Sequence, residues 1–190
     1  MSGSRPKGDR DVSRAESLQP DVGFLVSNLA RQPEVLRALL TGIDGDRACA
    51  KGRDGGWSIL EILGHLVDEE REDFPPRLFS TLEDPERAWN SIDPEGRVAE
   101  RDWNRNGNVD ELLWILMTER ASALARLRVL PRPDWGRTSR HPSLGTLSAA
   151  DLLVSWAAHD QLHVRQILRR LFELSQDSAG AGSTDYAGSW

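Results

Sequence analysis

Apolar positions along this chain recur at helical rather than strand spacing. Leu and Ala dominate the periodic segments, and no stretch alternates strongly enough to read as a strand. The first helical region runs from Asp21 to about Thr41, with Gly42 as its stop and an expected break or kink at Pro33, which lacks an amide donor. The second starts at Ser58, where Ser58 and Glu61 have the spacing of a capping box. Its apolar face is Ile59, Ile62, Leu63 and Leu66, and Pro75–Pro76 end or kink it after Phe74. Residues Leu82–Gly107 are polar and rich in Pro, Gly and Trp. They are read as a long loop that crosses the bundle and walls a pocket. A third helix starts near Asn108, carries Leu113, Leu116, Leu124 and Leu127, and stops before Pro131. A fourth starts at Ser148, capped by Asp151, and runs to about Leu174. The expected fold is all-α, a four-helix bundle over residues 21–174, with unstructured segments at 1–20 and 175–190.

The fourth helix places unusual chemistry on its inward stripe. Leu152, Trp156, His159, His163 and Ile167 follow one another at helical spacing, so two imidazoles one turn apart face the core. An unpaired polar group there is costly. Two readings answer that cost: the rings are packed histidines bonded to neighbouring acceptors, or they are metal ligands. His65, at the margin of the second helix's apolar face, favours the metal. Three neutral imidazoles from two helices, with an open position, form the pattern of a catalytic or substrate-binding ion. Gly64 beside it is expected to let another backbone or a ligand approach. His141 lies outside any stripe and is read as a capping or packing residue. Glu69, one turn beyond His65, either reaches the site as a proton-handling catalytic group or belongs to the solvated charge run DEERED. Arg120 either binds an anionic substrate or snorkels at the edge of the third helix. Asp160 points away from His159 as a surface or interhelix partner.

Composition narrows the classes. A formal net charge of −6 argues against a nucleic-acid partner. One Cys excludes an intrachain disulfide framework and fits a cytoplasmic location. No apolar run is long enough to span a membrane, and the first residues lack the core of a signal peptide. There is no di-iron E-x-x-H pair, P-loop or dinucleotide fingerprint, so no organic cofactor is expected.

The segments WSILEILGHLVDEE, EDP, IDPEG, RHPSLGTLSAADLL and WAAHDQLHVRQI together resemble the DinB-like superfamily of metal-binding helical bundles, over roughly Phe24 to Leu171. The Pro75–Pro76 pair departs from its pattern. The resemblance implies an up-down-down-up bundle and a homodimer. It also implies one divalent ion (zinc, nickel or iron) on the positions of His65, His159 and His163. It further implies thiol S-transfer or isomerisation with a low-molecular-weight thiol such as mycothiol or bacillithiol. The expected function is thus a metal-dependent transferase or hydrolase of a small molecule. The alternative is a non-catalytic metal- or ligand-binding stress protein.

Overall fold

A computed structural model describes residues 19–188, so the N-terminal segment up to residue 18 lies outside the described residues. In chain order the elements are α1 (Val22–Leu40), α2 (Gly45–Cys49), α3 (Ile59–Glu72), α4 (Phe74–Glu83), α5 (Pro94–Arg101), α6 (Trp103–Asn106) and α7 (Val109–Val129). A hairpin of β1 (Thr138–His141) and β2 (Gly145–Ser148) follows, then α8 (Ala149–Asp177) and a 3₁₀ turn at Asp185–Ala187. The long helices form a four-helix bundle. Both α1 and α3 pack on α7 and on α8, and α4 packs on α8. No helix among the described residues is long and apolar enough to cross a membrane.

The helix starts follow local chemistry. Both expected capping boxes form: Ser58 Oγ accepts from the amide of Glu61 at 3.2 Å and Ser148 Oγ from that of Asp151 at 3.0 Å, each with the reciprocal carboxylate bond. Asn108 caps α7 through the amide of Glu111. The kink before Pro75–Pro76 falls on Asp73, at φ −119° and ψ −92°, and the prolines occupy the first turn of α4, where no amide donor is needed.

Four expectations need correction. First, α1 runs unbroken through Pro33. The carbonyl that Pro33 cannot serve, that of Leu29, accepts instead from Arg120 Nη1 at 2.7 Å. Second, the run Leu82–Gly107 is not a bare loop, since it folds α5 and α6 against α3. Third, one short stretch pairs as strand although none reads as one in the sequence. Residues 138–148 pair as an antiparallel hairpin, with Gly145 at φ +83° where its turn re-enters the strand. Fourth, Gly64 admits neither backbone nor ligand. A Cβ there would lie 2.4 Å from the indole of Trp103. An Ala in mid-helix is ordinarily worth about 0.5–1 kcal/mol over Gly. Here the clash reverses the sign, and Gly64→Ala is expected to lower stability by about 1–3 kcal/mol in urea unfolding.

The core is divided. One apolar cluster contains Leu36, Ile62, Leu63, Leu116 and Ile167, and the other contains Leu29, Leu78, Leu124, Leu152 and Trp156. Between them along α3, α7 and α8 stand Glu70, Arg120 and Asp160, all buried. Glu70 Oε1 accepts from Arg120 Nε at 2.9 Å and Nη2 at 2.6 Å, and from Trp156 Nε1 at 2.7 Å. Asp160 accepts from Nη1 at 2.7 Å and Nη2 at 3.0 Å. With the bond to Leu29 O, the donors of this guanidinium are used up. Arg120 is therefore neither a substrate-binding residue nor a snorkelling one. It ties four helices together through a buried ionic layer, and Asp160 is its interhelix partner.

Candidate metal centre

The inward stripe of α8 carries His159 and His163 beside His65 of α3. The Nε2 atoms of His65 and His159 stand 3.3 Å apart, and those of His163 and His159 3.1 Å apart. One ligand atom from each of the three lies within 4.8 Å of the others. His163 Nδ1 is 2.9 Å from Gln166 Oε1, an acceptor, so the ring proton sits on Nδ1 and the Nε2 lone pair faces its neighbours. Burial, then the neighbouring rings, holds His65 down at about 3. Burial, His163 and Arg120 do the same for His159, also about 3. Burial lowers His163 as well. Both groups of effects keep the imidazoles neutral at ordinary pH.

Three Nε2 lone pairs aimed at one point would repel one another, and a cation between them would relieve that repulsion. Nitrogens on a tetrahedral zinc at about 2.0–2.1 Å stand about 3.3 Å from one another, close to the two separations seen here. The donor set thus fits a divalent ion. The rings are held from both sides. Trp57 lies 4.9 Å from His65 and stacks at 6.4 Å on His163, and Phe74 lies 5.0 Å from His159.

The three histidines form one wall of a cavity of about 620 Å³. Ser91, Ile92 and Pro94, from the segment expected to wall a pocket, line it. Glu69 opens on the same cavity, with Oε1 3.7 Å from His65 Nδ1, too far for a hydrogen bond. Its carboxyl is pushed up to about 8 by burial and then by Asp73, against the pull of Arg77. The first half of the run DEERED is not a solvated face, for Asp68, Glu69 and Glu70 are all buried, while Arg71 stays exposed.

His141 stands apart from the three histidines, at the end of β1. The capping role expected of it goes to its own turn: Nδ1 accepts from the amides of Ser143 and Leu144. It nevertheless lines the same cavity, as does Arg77, which spacing did not single out. Arg77 follows the Pro pair on a helix whose continuation the sequence left open, so no local signal aimed it at the site.

The chain matches the DinB superfamily family model over residues 28–167. It is 23% identical over 149 residues to an Oceanobacillus iheyensis protein named "Putative metal-dependent hydrolase", covering 75% of this chain and 81% of that protein. A Geobacillus kaustophilus protein of the same name is 23% identical over 141 residues, 71% of this chain and 75% of that one. Among solved structures, YfiT from Bacillus subtilis superposes with a TM-score of 0.72 at 17% identity, covering 92% of this chain and 95% of that one. It is described as "a probable metal-dependent hydrolase with an unusual four-helix bundle topology". With the match spanning most of the ordered helices, this chain belongs to the DinB superfamily.

Proposed function

We propose that this protein is a metal-dependent hydrolase of a small molecule, its divalent ion (zinc, nickel or iron) held by His65, His159 and His163. The observation that carries the reading is the convergence of three neutral Nε2 atoms on one wall of a cavity of small-molecule size. Such an ion, when bound, polarises a carbonyl or phosphoryl oxygen and lowers the pKa of water toward neutrality. The chain's own residues supply the rest. Gln166 fixes the tautomer of His163, and Trp57 and Phe74 pack against the rings. Glu69 presents a carboxyl to the same cavity, placed to take a proton at Oε and return it to a leaving group.

The relatives named above carry hydrolase names, which favours hydrolysis over thiol transfer. Protein purified without a histidine tag is expected to contain about one divalent ion per chain. It is expected to hydrolyse members of an ester, amide and lactone panel, with loss on chelation and recovery on adding Zn²⁺ or Ni²⁺. Metal-free protein from metal-replete cells would overturn the centre. Bound metal without turnover would assign a binding module instead, and turnover only with an added thiol would assign transfer.

A further inference from the structure

The cavity that carries three histidines on one wall carries a second set of donors on another. Arg77 is only 8% exposed. Its Nη2 donates to Asn90 O at 3.1 Å, and its guanidinium lies over the indole of Trp89. Its Nη1 faces His141 Nε2 at 3.1 Å. On the far side of that ring, Nδ1 accepts two backbone N–H groups, from Ser143 and Leu144, each at 3.1 Å. A neutral imidazole has one lone pair in its ring plane, and here it is on Nδ1, so the proton is on Nε2. Nη1–H is thus directed at a nitrogen that is itself a donor, so the two N–H groups meet with no acceptor between them, and a cavity oxygen within reach of both would accept from both. Asp73 Oδ2 lies 3.2 Å from Nη1, but no ion pair joins Asp73 to His141 among the described residues. Asp73 lines the same cavity and feels both Arg77 and His141, so it is the resident carboxylate with which an incoming oxyanion would compete.

We propose that Arg77 and His141 form the pole that receives an oxyanion of the substrate, a carboxylate or a phosphate, while the reacting bond lies at the three-histidine wall. A guanidinium is permanently charged and matches a planar or tetrahedral oxyanion with paired N–H groups, which a neutral carbonyl uses less fully. Trp57 and Phe74 flank the histidine wall, so the ligand class is a small anionic molecule with an apolar or aromatic body. The inference rests on the cavity being the substrate site of the proposed hydrolase.

The test follows the ring protons of His141 by NMR in the full chain, zinc-loaded and chelator-treated. The chain has four histidines, so His141→Gln assigns the signal. Benzoate and phenyl phosphate are the probes, with benzamide as the neutral and benzylamine as the cationic control. At least one oxyanion is expected to shift the His141 signal saturably, with or without zinc, and benzylamine is not. The tighter of the two oxyanions identifies the group preferred. Arg77→Gln is expected to weaken oxyanion binding about tenfold or more, and Arg77→Lys less. Asp73→Asn, which removes a competing carboxylate, is expected to tighten it, an effect that a purely structural strut would not produce. No saturable shift, equal binding of benzylamine, or unchanged affinity in Arg77→Gln would overturn the pole. If circular dichroism shows Arg77→Gln unfolded, unchanged affinity in both Arg77→Lys and Asp73→Asn overturns it. Oxyanion binding at His141 without hydrolysis supports the pole and removes the hydrolase reading. Hydrolysis with no preference for anionic substrates removes the pole alone.

Discussion

His65→Ala, His159→Ala and His163→Ala are each expected to lower divalent-metal affinity by well over the ~10–100-fold typical of losing an outer partner of a ligand. Each removes one of three nitrogens whose Nε2 atoms crowd together at 3.1 and 3.3 Å. The remaining two cannot close a site around the ion. His141→Ala is expected to leave affinity nearly unchanged, because its Nδ1 is taken by the Ser143 and Leu144 amides and the ring lies outside the cluster. Gln166→Ala frees the tautomer of His163 and is expected to fall between, within the ~10–100-fold range. Competition with a chromophoric chelator measures all five, with circular dichroism to check folding. Metal loss in His141→Ala with retention in His65→Ala would remove α3 from the centre.

Arg120→Met is expected to cost about 3–5 kcal/mol of stability, read from urea unfolding. The substitution leaves the carboxylates of Glu70 and Asp160 buried together without a cation, and it strips the Leu29 carbonyl of the donor that replaces the missing amide of Pro33. Adding Glu70→Gln and Asp160→Asn is expected to recover part of the loss, which a mutant cycle would measure as coupling. The defect carries a pH signature. Burial already holds the Glu70 carboxyl above its ordinary range, with Arg120 pulling it back down. Without Arg120 it rises further, so the folded state binds a proton that the unfolded chain has released. Stability then falls as pH rises from the ordinary glutamate range through the folded value. The Arg120→Met defect is therefore expected to be smaller in acidic than in neutral buffer. A pH-independent defect would mean that Glu70 stays ionised.

Much of the helical frame was legible in short stretches of chain. Ser58 with Glu61 and Ser148 with Asp151 announce helix starts because a cap involves only residues three apart. The Pro75–Pro76 kink is equally local. His159 and His163 declared themselves on α8 because a period of 3.6 residues places them on the stripe of Trp156 and Ile167. Pairing with His65 could be inferred from its place on another apolar face, but its Nε2 meets theirs only through the packing of α3 on α8. Tertiary structure alone decided three other matters. Pro33 does not break α1, because a guanidinium from α7, far along the chain, takes the orphaned carbonyl. Asp68, Glu69 and Glu70 are buried although their sequence reads as a solvated run, because α5, α6, α7 and α8 all close over α3. Arg77 and His141, on separate elements with no shared spacing, come to 3.1 Å in the lining of the cavity. Caps and stripes are written in contacts a few residues long. Which polar groups share a buried site depends on how distant helices pack, and no local pattern encodes that packing.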